Sequence, residues 1–223
     1  MKNLSEKDWN RDSRKAEREE MVRYQIEKRG VSDDRVLDAM RKVPRELFTP
    51  DGEKNRAYRD GPLPIGCGQT ISQPYIVAYM TEQLSVGSGD RVLEIGTGCG
   101  YQTAVLAELA EHVYTMEIIA DLSERSQKIL NRLGYENISY RVGDGSLGWP
   151  EHAPFDAIMV TAAPGGIPRE LKKQMARGGR MIIPAGTFSQ KIYKLVRTEE
   201  EYIEEPLIGV RFVPMTGKIE REF

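Results

Sequence analysis

Hydrophobic patterning divides this chain into two regimes that meet near residue 90. Before it, apolar positions recur three or four apart, as on one stripe of a helix. After it, short β-rich runs alternate with helical stretches. Residues 1–29 are densely charged, with apolar positions at Trp9, Met21, Val22 and Ile26, which predicts a solvated helix that packs one narrow stripe. Gly30 can stop it. Ser32 or Asp33 can cap a second helix, on which Val36, Met40, Val43 and Leu47 share a face and which Pro44 bends or ends. Residues 49–70 are rich in Gly and Pro and predict a long loop, of the kind that often carries function. A helix is expected from Pro74 to Leu84.

The second regime predicts strands at 91–95, 113–117, 137–142, 155–160 and 180–183, with helices at 101–110, 121–133 and 168–175 between them. Strand alternating with helix implies an α/β fold, a doubly wound and mostly parallel sheet covered on both faces. After Gly186 the rhythm becomes strand after strand, at 191–196, 202–204 and 208–213, which predicts a C-terminal antiparallel β extension. The expected organisation is a single domain over 1–223. Residues 1–60 form N-terminal helices, 61–89 a loop and helix, 90–186 the α/β core and 187–223 the C-terminal β segment.

Composition narrows the function. Apolar residues make up 39% of the 223 and charged residues 30%, a globular balance. The net charge is −2, and Lys and Arg are interleaved with acids. Phosphate binding needs a concentrated basic surface, so no nucleic-acid partner is expected. No window is long and apolar enough to span a bilayer, and the charged N-terminus does not read as a signal peptide, so a cytoplasmic protein with no membrane partner is expected. A monomer is expected. The two cysteines, Cys67 and Cys99, are flanked by glycines and read as small residues in tight loops. The two histidines, His112 and His152, read as surface or helix-end residues, which disfavours a zinc site or a Ser-His-Asp triad.

The most informative turn is Glu94-Ile95-Gly96-Thr97-Gly98-Cys99-Gly100-Tyr101. A glycine turn between the first strand and first helix of a doubly wound sheet places a ligand at the helix N-terminus. The spacing is G-x-G-x-G rather than the G-x-G-x-x-G of dinucleotide folds. Glu94, ending the strand, would repel a pyrophosphate and attract an ammonium group. Glu117 ends the next strand, where an acid can accept hydrogen bonds from ribose hydroxyls. Asp144-Gly145 follows the third strand, where a carboxylate can receive an adenine amino group. A ligand with an ammonium, a ribose and an adenine but no phosphate is S-adenosyl-L-methionine. On spacing alone, these acids can also be read as loop residues that cap helices.

A second segment runs Pro62-Leu63-Pro64-Ile65-Gly66-Cys67-Gly68-Gln69-Thr70-Ile71-Ser72-Gln73-Pro74. On pattern alone, Thr70 or Ser72 reads as an N-cap for the helix that begins near Pro74. The segment resembles the signature of protein-L-isoaspartate O-methyltransferases. Matches follow in order at Val92–Tyr101, Gly143–Gly145, Val160–Pro164 and Arg211–Gly217, so the resemblance covers roughly residues 20 to 217. It implies the Rossmann-like methyltransferase fold and S-adenosylmethionine as cofactor. It also implies Ser72 as the active-site serine, with Gln69, Thr70, Ile71 and Thr216 closing over the cofactor. Ala163 and a strand carrying Arg211, Phe212, Val213 and Pro214 would line the peptide groove. With Glu94 and Glu117, the residues Gly96, Thr97, Gly98, Gly100, Asp144 and Gly145 complete the expected cofactor set.

The implied reaction transfers the sulfonium methyl to the free α-carboxylate of L-isoaspartyl residues in damaged proteins and peptides, which initiates repair. Two alternatives are a non-catalytic module that binds damaged peptides and a methyltransferase of the same fold acting on a small molecule. A nicotinamide oxidoreductase is disfavoured by the glycine spacing and by Glu94.

Overall fold

A computed structural model of the chain describes residues 14–218. Trp9 lies outside the described residues. The first helix, α1 (Lys15–Met21), continues through a wide turn at Val22–Ile26 and a tight one at Glu27–Arg29. Met21, Val22 and Ile26 are buried and form the expected stripe. Asp33 caps α2 (Asp34–Lys42), its carboxylate accepting from the amides of Arg35 and Val36. The helix ends before Pro44. A buried polar group ties α1 down: Tyr58 donates to Glu46, and the Arg18 guanidinium lies 3.9 Å from the same carboxylate.

The 49–70 segment is more ordered than its Gly and Pro content suggests. A short helical turn at Arg45–Phe48 leads into it, and another occupies Asp51–Arg56. A hairpin follows, β1 (Leu63–Gly66) and β2 (Gln69–Ile71), paired antiparallel with Leu63 opposite Ile71. Its two-residue turn, Cys67-Gly68, has both φ angles positive, as a tight hairpin requires. The prolines hid a period-2 pattern in which Leu63, Ile65 and Ile71 are buried. Helix α3 (Pro74–Leu84) follows as expected.

The remaining elements are β3 (Arg91–Ile95), α4 (Tyr101–Ala107), β4 (His112–Glu117), α5 (Ala120–Arg132), β5 (Ile138–Val142), β6 (Phe155–Val160), α6 (Arg169–Lys173), β7 (Met175–Ala185), β8 (Gln190–Arg197) and β9 (Tyr202–Val210). They build one seven-stranded sheet in the order β5-β4-β3-β6-β7-β8-β9. Pairing is parallel from β5 to β7 and antiparallel from β7 to β9.

The structure departs from the sequence reading at some boundaries and in how evenly the sheet is covered. The helix expected through residue 175 stops at Lys173, because Met175 already pairs with Phe155 across a bulge. The strands expected at 202–204 and 208–213 are one strand that ends at Val210, held together by its pairing with β8. Finally, the two faces of the sheet are unequally covered. Val92, Val113, Ala157 and Met159 pack under α1–α5 in the larger core. Leu93, Ile95, Ile158 and Val160 face the smaller cover of α6 and the Trp149 region. Burial on both faces explains why these strands read as nearly continuous apolar runs.

Candidate active site

The chain leaves β3, builds β4 and β5 on one side, then crosses back to place β6 on the other. The carboxyl ends of the strands diverge at that reversal, and a crevice opens there. It has two joined parts. The first, of about 610 Å3, is walled by the ends of β3 and β4, the hairpin and the C-terminal segment. The second, of about 450 Å3, runs beneath the hairpin toward α3. Thr70, Gly96, Gly98 and Thr161 line both, so the two parts meet over the glycine turn.

The turn is shaped for close approach. Gly96 has φ of +97°, and a Cβ there would lie 2.3 Å from the Thr161 hydroxyl. That hydroxyl donates to the Gly96 carbonyl at 2.7 Å. Thr97 lines the second part and shares a hydrogen bond with Thr115. Gly100 lines neither part; it lies against Leu130 and Ser126 of α5 and serves helix packing. Glu117 sits at the wall of the first part, only 6% exposed. Its two oxygens accept from the amides of Gly98, at 2.8 Å, and Ile119, at 3.0 Å. The carboxylate is fixed and keeps lone pairs for a ligand.

Two acids stand differently from the sequence reading. Glu94 is fully buried behind the turn and lines neither part of the crevice, so it offers no direct contact to a ligand ammonium. Its Oε2 accepts from the hydroxyls of Thr103 and Thr115, and its Oε1 has no partner. Burial pushes its carboxyl up to about 8, against the pull of the two hydroxyls. Asp144 also lies off the lining. Its carboxylate accepts from the Ser146 amide and hydroxyl and from the Lys218 amide, while Gly145 beside it does face the first part. Asp144 thus ties the C-terminal segment across the crevice, with Thr216 on its inner side.

Ser72 follows β2 and lines the second part together with Ile71. It does not cap α3: the residue before that helix is Gln73, and no side chain caps it. Gln69 and Thr70 line the first part from the hairpin. The segment expected to be a peptide-lining strand joins no sheet ladder over Arg211–Val213. It is anchored at two points: the Ala163 amide donates to Val213 and its carbonyl accepts from Met215, each at 2.9 Å, while the Gln190 side chain accepts from the Phe212 amide at 2.6 Å and donates to the Phe212 carbonyl at 3.3 Å. Phe212 lines the second part, and Val213 and Pro214 the first. Ala163 is buried behind them, and Arg211 is exposed and lines neither.

The sequence reading did not place Thr161 in the site, although its segment was singled out; a polar residue directly after β6 was the available signal. Nor did it list the apolar wall of Ile95, Met116, Ile118, Ile76 and Met80, since apolar side chains carry no chemical signature. Cys99 lines the second part with its thiol pushed up to about 11 by burial, which makes it a poor nucleophile. Neither histidine lines the crevice. His112 opens β4 and packs against Tyr114, and His152 belongs to the same aromatic group.

Among the described residues no lysine or arginine lines either part, so these walls offer no counter-charge for a pyrophosphate. A fixed carboxylate beside a glycine turn, facing an apolar wall, suits ribose and adenine instead. On a doubly wound sheet this defines the class of S-adenosylmethionine-dependent methyltransferases.

Comparison with known proteins specifies the class. The sequence profile of the protein-L-isoaspartate(D-aspartate) O-methyltransferase family matches residues 16–220. A protein-L-isoaspartate O-methyltransferase of Picosynechococcus sp. is 51% identical over 210 residues, 94% of this chain and 95% of the relative. One from Methanoculleus marisnigri is 53% identical over 208 residues, covering 93% and 94%. Among solved structures, a protein-L-isoaspartate O-methyltransferase superposes with a TM-score of 0.83 at 30% identity, over 90% of this chain and 67% of the other. A Plasmodium falciparum structure of the same type, in complex with S-adenosyl-L-homocysteine, gives 0.79 at 25% identity, over 89% and 98%. The chain belongs to the protein-L-isoaspartate(D-aspartate) O-methyltransferase family. Its activity is the S-adenosylmethionine-dependent methylation of isoaspartyl residues.

Proposed function

We propose that the two joined parts of the crevice form one catalytic centre, in which Glu117 holds the cofactor ribose and Ser72 orients the α-carboxylate of an isoaspartyl residue. The observation that carries this reading is the shared lining. Thr70, Gly96, Gly98 and Thr161 border both a carboxylate-edged chamber and a serine-edged one. Bound S-adenosylmethionine supplies an electrophilic sulfonium methyl. Gly96, Gly98, Gly145 and the apolar wall give the cofactor a close fit, and Gln69, Thr70, Ile71 and Thr216 close over it.

The nucleophile needs no base, because an α-carboxyl group has a pKa of about 3.5 and is already an anion at neutral pH. The absence of histidine from the crevice agrees with this. The work left to the protein is alignment and exclusion of water. Opposite charges are neutralised as the methyl moves, so the apolar walls from Ile76, Met80 and Phe212 favour the transition state. Ser72 donates a hydrogen bond to the carboxylate and forms no covalent intermediate. Phe212, Val213 and Pro214, anchored through Ala163, border the peptide, and Arg211 meets its flanking residues at the rim. The methyl ester is a better leaving group than the acid, so the ring can re-form and reopen to a normal linkage. We assign the protein to the cytoplasm, acting as a monomer on damaged proteins and peptides rather than on nucleic acid. No helix among the described residues is long and apolar enough to cross a membrane.

The test is incubation with radiolabelled cofactor and an isoaspartyl peptide beside its normal aspartyl twin. Base-labile label on the isoaspartyl peptide alone is expected. Equal labelling of both peptides would remove the α-carboxylate from the reading.

A further inference from the structure

The crevice is built on a buried cation that lines neither of its parts. Arg45 lies in the short helical turn after α2 and is 0% exposed. Its Nε donates to the Ala57 carbonyl at 2.8 Å, and its Nη2 donates to the Ser72 carbonyl at 2.7 Å. Its guanidinium carbon lies 4.8 Å from the ring centroid of Tyr101, the first residue of α4 after the glycine turn. Phe48 packs edge-on against the same ring. Nη1 is buried with no hydrogen-bond partner, and no carboxylate among the described residues pairs with the charge. Burial lowers the guanidinium's pKa from its usual value, but an arginine keeps its charge at neutral pH.

A buried cation with no counter-ion and one unmade hydrogen bond is costly. Packing alone gives no account of it, since a methionine would fill similar space. What only the guanidinium can do here is hold the backbone of Ser72 and the head of α4 at once, with its planar fork fixed by the Ala57 carbonyl. One of these elements carries the serine, and the other follows the turn that walls the cofactor chamber.

We propose that Arg45 is a positioning residue for methyl transfer, clamping Ser72 to the glycine-turn helix so that substrate carboxylate and methyl donor share one rigid frame. The inference rests on the assignment of Ser72 as the group that orients the carboxylate. The planar fork does the holding, so a lysine, which keeps the charge but has no fork, cannot replace it. Small displacements between reacting groups cost large factors in rate, so the loss falls on turnover rather than on binding.

The test is a double-mutant cycle of Arg45→Lys and Ser72→Ala, read by single-turnover methylation of an isoaspartyl peptide, peptide KM, cofactor titration and a thermal melt. Arg45→Lys should slow turnover about tenfold or more, with cofactor affinity and peptide KM within about threefold of wild type. In the Ser72→Ala background, Arg45→Lys should cost almost nothing further, because the group it positions has gone. The same rate loss in both backgrounds would show that Arg45 acts elsewhere and would overturn the proposal, leaving Ser72 intact. Wild-type turnover by Ser72→Ala alone would instead defeat the assignment of Ser72, and this inference with it. Should Arg45→Lys fail to fold, Tyr101→Leu removes the other face of the clamp. It should give the same pattern of lowered turnover, retained cofactor affinity and non-additivity with Ser72→Ala, and additive losses would count against the clamp.

Discussion

The proposed chemistry rests on single carboxylates and one hydroxyl, and each is separable by substitution. Ser72→Ala should leave the melting temperature nearly unchanged, since the hydroxyl caps no helix. Methyl transfer should fall by about tenfold to a thousandfold. A thermal melt and single-turnover methylation on one preparation check both, and early melting with normal turnover would restore a structural serine. Glu117→Ala should weaken S-adenosylmethionine by about 1–3 kcal/mol through lost charge-assisted hydrogen bonds. Calorimetric titration reads this directly, and unchanged affinity in a folded variant would take Glu117 out of the cofactor site. Glu94 predicts a pH effect. Its folded-state value of about 8 lies above the ordinary 4.5, so the folded protein keeps a proton that the unfolded chain has released. Its contribution to stability therefore falls as pH rises from 4.5 to about 8, by up to ~1.4 kcal/mol per pH unit, and levels off above. Glu94→Gln, which keeps the shape without the titration, should flatten that slope in urea unfolding between pH 5 and 8.5. A slope identical to wild type would mean that Glu94 is ionised in the folded protein.

At the scale of elements, two short segments without long helices or strands cover the crevice. The β1–β2 hairpin brings Gln69, Thr70 and Ile71 over it, and the C-terminal segment brings Val213–Thr216. The second is strapped by Asp144, on which the backbone closes so tightly that a Cβ at Gly217 would lie 2.5 Å from a carboxylate oxygen. Gly217 also has φ of +122°. Gly217→Ala should therefore lift the strap. The expected result is a cofactor affinity at least several-fold weaker with a small change in melting temperature, because most of the core lies elsewhere. Cofactor titration and a melt on the same variant decide it, and retained affinity would show that the strap does not close the cofactor chamber.

For the whole molecule, charge predicts partners. Lys and Arg number 32 against 34 acids. Many pair locally, as in Arg41 with Glu19, Glu27 and Asp38, and Arg180 with Asp90. Cations distributed and neutralised in this way make no phosphate track, so DNA or RNA should bind weakly at physiological salt. A gel-shift titration over a range of salt should show no tight complex; a strong, salt-sensitive shift would place nucleic acid among the substrates. Light scattering of the same preparation should return the mass of one chain.

The order of elements and the glycine turn were legible in the sequence because they obey local rules, whereas local pattern alone read Ser72 as a helix cap and only the family resemblance singled it out for the site. Periodicity reports which face of an element is buried, and a fixed spacing from strand to turn to helix places a ligand at the helix N-terminus whatever surrounds it. What the sequence could not decide was which way the acids point and what lies behind the site. Glu94 and Glu117 both lie at the carboxyl ends of neighbouring strands, one a residue before the end and one at it, yet the first is sealed beneath Thr103 and Thr115 while the other faces the crevice. Asp144 serves a segment 74 residues away. Arg45, in a stretch that reads only as the end of a helix, reaches Ser72 across 27 residues. These outcomes depend on long-range contacts, and no local pattern records them. The sequence by itself determined the fold class and, through the family resemblance, the cofactor; the tertiary structure alone decided which charged groups face the crevice and which hold the protein around it, because that depends on contacts between distant segments.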